Sequence, residues 1–408
     1  MIKMTTLEKK SDRTFSIPLW VSGLIPLIAI GLMLVIYAYG NPLALFTADL
    51  PPVEDITLER IRVVDGGFEV TVFNGAPEPV TVAQVLVDEA YWQFTVEPSP
   101  TLPRMGRANL SISYPWVENE PNEITLITST GTTFSGEVPI AIPTPTPGAR
   151  EFLAYGLLGI YVGVVPVGLG MLWYPAMRKM ERKWLGAILA LTVGLLVFLF
   201  IDTILEAFEV AAKLPGVFQG VPLVLFAALV AWFILLAVGA RRRKTGVNDP
   251  ARRAFYLALL IAIGIGLHNL GEGLAIGAAF ALGEAALGGF LVIGFMLHNV
   301  TEGIGIVAPL VRPGDLAGPR LSTFLGLTLV AGLPAVAGAW VGGFAFSPIL
   351  ATLFLGIGAG AIWQVIVEVT ELLKSYAEKE GESLFSWLNL GGFLAGLLVM
   401  YLTAFLVK

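Results

Sequence analysis

Nine apolar runs, each of roughly 20 residues or more and so long enough to cross the hydrocarbon of a bilayer, dominate this 408-residue chain. In lipid no water is at hand for a backbone N–H or C=O, so each run is expected to be a helix that satisfies these groups internally. The first run covers Phe15 to Tyr39, and eight follow Arg150, at about 151–174, 184–211, 217–240, 254–281, 285–311, 321–345, 348–374 and 386–407. Hydrophobic residues make up 56% of the chain and charged residues 14%, the balance of a multi-pass membrane protein rather than a globular enzyme. Lys and Arg collect in alternate connections: Arg178, Lys179, Arg182 and Lys183; Arg241 to Lys244 with Arg252 and Arg253; Arg312 and Arg320; Lys374 and Lys379. The short loops between carry only Lys213. By the positive-inside rule the basic loops and the N-terminus are expected in the cytoplasm of a cell-membrane protein, and the C-terminus outside.

The chain divides by composition. Residues 1–50 hold a polar start with Lys3, Lys9, Lys10 and Arg13 and then the first apolar run, which is longer than a signal peptide's core and has no clear small-x-small site after it. It is read as an uncleaved anchor. Residues 51–142 alternate apolar and polar positions, as in Phe68-Glu-Val-Thr-Val-Phe73, and Asp65-Gly66-Gly67 signals a hairpin. About seven short strands over some 90 residues fit a small extracellular β-sandwich of the immunoglobulin-like kind. Asn109-Leu-Ser111 matches a glycosylation sequon, a weak signal in itself. The Pro-rich residues 143–149 form a stiff linker to the eight-span core at 150–408. The expected fold is therefore an all-α polytopic membrane protein with an inserted all-β sandwich.

Chemistry concentrates in two neighbouring spans. The only two histidines, His268 and His298, lie in near-copies, His268-Asn-Leu-Gly-Glu-Gly273 and His298-Asn-Val-Thr-Glu-Gly303. A His and a Glu four residues apart share one helix face. An ionised group at mid-membrane is costly, about 2.5 to 3.5 kcal/mol for Asp on insertion scales, and a bound cation would compensate it. Consecutive spans run in opposite directions, so the two motifs are related by inversion, and His268, Asn269, Glu272, His298, Asn299 and Glu302 can converge near the midplane. The chain has no cysteine, so a metal must be held by nitrogen and oxygen, a set suited to Zn²⁺ and other first-row divalents. Such ligands bind deprotonated, so affinity is expected to fall at low pH. The alternative is a proton relay or polar packing, with each Glu protonated and hydrogen-bonded to a neighbour.

Other acids mark a pathway. Asp202, Glu206 and Glu209 share a face near the outer end of their span and either attract cations or simply end a helix in water. Glu368, flanked by apolar residues, is the better internal candidate, and Glu371 reaches toward the interface. No His-Glu-x-x-His, Gly-x-Ser-x-Gly or Walker-type loop occurs, so no enzyme signature is present. A net charge of −6 argues against nucleic acid as a partner.

The paired motifs on the fourth and fifth of eight core spans resemble those of the ZIP (Zrt/Irt-like) divalent metal transporters, and Gly358-Ala-Gly-Ala-Ile-Trp-Gln-Val-Ile-Val-Glu368 is similar to that family's seventh helix. The resemblance covers about residues 150–408. It implies an eight-helix ZIP-like core, a principal metal site at His268, Glu272, His298 and Glu302, and Asn269 and Asn299 facing a possible second metal. It also implies movement of Zn²⁺ or a similar divalent ion toward the cytoplasm, the metal being substrate and not cofactor. The second-metal acid expected on the sixth core helix is missing from Gly332-Leu-Pro-Ala-Val-Ala-Gly338, so one strong site is expected. The proline usual before each motif glutamate is replaced by Gly271 and Thr301, and the loop at 241–253 has no histidine. The expected partners are divalent metal ions and the lipid bilayer, a homodimer is compatible with this reading, and the β-domain's partner is unassigned. Competing readings are a receptor or sensor working through the β-domain, and an intramembrane metal-dependent hydrolase in which a bound metal activates water.

Overall fold

The computed structural model describes residues 19–40, 53–244, 250–311 and 318–407. Expectations for Lys3, Lys9, Lys10, Arg13 and Arg312, and for the start of the anchor at Phe15, lie outside the described residues. Helix α1 (Leu19–Gly40) belongs to a unit separate from Val53–Lys408 and carries exposed apolar side chains from Leu24 to Ile36.

In the second unit eight helices are long and apolar enough to cross a membrane. They are α2 (Ala149–Met177), α3 (Arg182–Ala212), α4 (Gly220–Lys244), α5 (Pro250–Ala281), α6 (Ala285–Val307), α7 (Leu321–Ala345), α8 (Pro348–Glu380) and α9 (Trp387–Val407). With a small antiparallel β region, they make the chain a mostly helical, multi-pass membrane protein. Helix α2 is not uniform: Ile160–Val164 is a π-helical segment, and the Val165 amide donates to the Ile160 carbonyl. The cause is local in sequence. Pro166 has no N–H, so the α-helical bond that would end on Val162 cannot form.

The motif helices are packed backbone to backbone. A Cβ on Gly273 of α5 would collide with the Ala335 carbonyl of α7, and one on Gly303 of α6 would collide with the Val167 carbonyl of α2. Each motif's final glycine is thus the point where its helix meets a neighbour, as close helix crossings in lipid require. The two crossings repeat the inverted relation of the motifs. No proline bends α5 or α6 beside its glutamate; the prolines sit instead in the helices they touch, Pro166 in α2 and Pro334 in α7.

The β region forms two antiparallel sheets. One has the order β1 (Ile56–Val64), β2 (Gly67–Asn74), β7 (Arg107–Ser113), β5 (Phe94–Glu97); the other has β4 (Ala90–Tyr91), β3 (Val80–Val87), β8 (Asn122–Thr128), β9 (Thr133–Val138), with β6 (Thr101–Leu102) paired to β3. This is the strand order of an immunoglobulin-type sandwich. Nine strands replace the seven expected because β4 and β6 are two-residue pairings too short to leave an alternating pattern. Asp65 and Gly66 make the two-residue turn between β1 and β2, with Gly66 at φ +77°, a conformation open to glycine. Phe68, Val70, Val72, Leu110, Val85 and Leu126 fill one core between the sheets. Contacts between the sandwich and the helices include Phe73 against Phe218 in the α3–α4 connection, the rings tilted by 35° with centroids 5.4 Å apart, and Ile142 beside Gly283 in the α5–α6 turn.

Asp88 holds the loop after β3. Burial acts to raise its carboxyl, but the Glu123 amide, the Asn122 side chain and the Tyr114 hydroxyl donate to it and keep it below the usual carboxylate range.

Two predictions follow from this packing and this loop. Gly273→Ala or Gly303→Ala should each lower the melting temperature of the detergent-purified protein by several degrees, overpacking costing about 1–3 kcal/mol; Gly326→Ala, where a Cβ meets open space, should leave it unchanged. Because the folded Asp88 value is depressed, its stabilisation is present above the unfolded value near 3.9 and is lost as pH falls through the folded one. The melting difference between native protein and Asp88→Asn should therefore persist from neutral pH to about 4 and vanish below that. Equal melting temperatures at neutral pH would refute the assignment.

Candidate metal centre

Helices α5 and α6 are joined by the short turn Leu282–Glu284 and bring the two motifs together. All six motif residues, His268, Asn269, Glu272, His298, Asn299 and Glu302, are buried. His268, Glu272 and His298 each place one ligand atom within 4.8 Å of the others. His268 Nε2 lies 3.0 Å from Glu272 Oε1, and His298 Nε2 meets the same oxygen. The imidazole centroids are 6.4 Å apart. Gly358 of α8 makes room for His268: a Cβ there would lie 3.3 Å from the His268 Cα.

Both asparagines are anchored to neighbouring helices, and Asn299 also to the cluster. Asn269 Nδ2 donates to the Ala331 carbonyl of α7 at 3.0 Å, and Asn299 Nδ2 donates to the Val162 carbonyl of α2 at 3.1 Å and to Glu272 Oε2 at 3.1 Å. Their Oδ1 atoms, and both oxygens of Glu302, are buried without hydrogen-bond partners. Unpaired buried oxygens are costly, whereas a divalent cation would satisfy several at once. Two imidazole nitrogens and carboxylate oxygens, with neutral amide oxygens nearby, are a donor set that fits such an ion. Glu302 stands next to the three-residue cluster and outside its compact ligand set.

Polarity differs on the two sides of this cluster. On the side nearer the sandwich, a cavity of about 470 Å³ runs from Asp202, Glu206 and Glu209 to His298. Lys213 and Glu284 line it as well. The three acids read from spacing thus share a cavity wall with a motif histidine. On the other side His298, Thr301 and Glu302 border a void of about 10 Å³, closed by Ile261, Ile265, Leu196 and Val365. That is near the lower limit for one water. Glu368 lies one turn of α8 beyond Val365, buried, and accepts a hydrogen bond from Gln364 Nε2 at 3.0 Å. Glu371 is exposed.

Glu284, Gln364, Val162 and Ala331 were not singled out from sequence. Glu284 sits in a turn, where periodicity says nothing. Pro166 was the available signal for the Val162 carbonyl, since it removes the donor four residues on; the Ala331 carbonyl, three residues before Pro334, had none.

Replacing a cluster member should show directly in binding. His298→Ala should weaken Zn²⁺ binding to the purified chain by more than about 100-fold, the upper range for losing even an outer-shell partner of a metal. Unchanged affinity by calorimetry would remove His298 from the centre. No family model matches the chain, and no curated protein matches it.

Proposed function

We propose that the protein is a secondary transporter of divalent transition metals, Zn²⁺ first among them, built on an eight-helix core of the ZIP kind. The observation that carries this reading is the meeting of His268, Glu272 and His298 at the inner end of an acid-lined cavity, with a closed apolar layer on the other side. In this reading Asp202, Glu206, Glu209 and Glu284 raise the local cation concentration by their summed field. His268, Glu272 and His298, with Glu302 beside them, then replace the ion's hydration shell. Separation of Ile261, Ile265 and Val365 would open the way to Glu368, the next buried acid, and charge placement in the loops orients this movement toward the cytoplasm. In this reading the cavity corresponds to the outward-open half of alternating access. The metal is substrate, and the sandwich faces outside.

Uptake of ⁶⁵Zn²⁺ by proteoliposomes provides the test. The native chain should transport, and Glu272→Ala with Glu302→Ala should abolish uptake; transport surviving in that double variant would overturn the reading. Asp202→Asn with Glu206→Gln and Glu209→Gln should raise KM severalfold at low salt and much less at high salt, because the attraction is screened. A KM unchanged at low salt would remove the acids from the entry path.

A further inference from the structure

We infer, resting on the transport reading, that Asn299 is a positioning residue: it fixes the Glu272 carboxylate and does not serve a second metal ion. Both hydrogens of its carboxamide are directed to acceptors, the Val162 carbonyl and Glu272 Oε2, each 3.1 Å from Nδ2. A carbonyl and a carboxylate can only accept, so they determine which end of the amide is nitrogen. The Val162 carbonyl is open to Asn299 because Pro166 cannot donate to it and the α2 backbone widens into the π segment there. Thus a proline on α2 supplies the anchor, Asn299 transmits it, and Glu272 is held with Oε1 turned to both histidines.

The other motif repeats only the anchoring of its asparagine to a helix carbonyl, by inversion. Asn269 Nδ2 donates to the Ala331 carbonyl of α7, in the turn preceding Pro334, and the side chain lies beside Glu302 without closing a hydrogen bond to it. Each asparagine is therefore fastened to a proline-bearing helix and set beside the glutamate of the opposite motif. Asn299 completes both contacts and Asn269 completes one. An acid at position 299 would face the Val162 carbonyl and Glu272 with nothing to donate, so a carboxylate there would push the ligand away. Amide and acid are not interchangeable at this position, and the centre takes one ion.

The test uses the full-length chain in detergent, first metal-free and then titrated with Zn²⁺. Without metal, Asn299→Asp should lower the melting temperature by about 5 °C or more. Combining it with Glu272→Gln exchanges amide and acid and restores a donor–acceptor pair, so the double variant should recover at least half of that loss, a coupling that a merely space-filling role would not produce. Asn299→Ser, which retains one hydroxyl donor, should fold and fall between native and Asn299→Asp. On titration Asn299→Asp and Asn299→Ser should each bind Zn²⁺ at least tenfold more weakly, with no more than one ion per chain. Two ions bound to Asn299→Asp, native affinity in either variant, or no recovery in the exchange would overturn the inference. If the native chain bound no Zn²⁺, the transport reading would fall, while the metal-free melting series would still decide whether Asn299 holds Glu272.

Discussion

Two glutamates enclosed by protein in the middle of a membrane-crossing bundle set the terms for everything around them. Taking a carboxylate out of water costs several kcal/mol even after relaxation, so each needs a compensating partner. Glu272 has three in place, His268, His298 and Asn299, while Glu302 has none among its hydrogen-bond contacts. The inverted pair is therefore asymmetric: the carboxylate of one half is held by three side chains, that of the other by none of these contacts.

That organisation depends on close backbone contact rather than on bulk hydrophobicity. Lipid tails are as apolar as leucine, so helices in a bilayer gain little by hiding apolar faces from them. The close approach of α5 to α7 and of α6 to α2 runs along glycines, among them Gly273 and Gly303, one residue after each glutamate. The same sequence copy therefore carries the ligand and the crossing that positions it. A shift of either crossing moves a ligand with it.

Much of this could be read from the sequence, for identifiable reasons. Long apolar runs give the helices because a bilayer leaves few other structures open. Spacing puts His268 and Glu272 on one face, and a duplicated motif puts His298 opposite. The hairpin at Asp65-Gly66 was legible because a two-residue turn needs positive φ, whereas β4 and β6 were not, since two residues make no pattern. The partners of Asn269 and Asn299 were hidden for another reason. They are backbone carbonyls more than sixty residues away, and a carbonyl has no signature in sequence unless a proline leaves it without a donor, as Pro166 does for Val162 but no residue does for Ala331.

Among its contacts with the bundle, the sandwich meets two turns, through Phe73 against Phe218 and Ile142 beside Gly283. One turn follows the helix that bears Asp202, Glu206 and Glu209, and the other joins the two motif helices. The rims of the acid-lined cavity are thus spanned by a β-framework whose shape is set by its own core and not by lipid. A change in the width of that opening would have to disturb the Phe73–Phe218 and Ile142–Gly283 contacts, which ties the shape of the β-domain to the spacing of the helices beneath it.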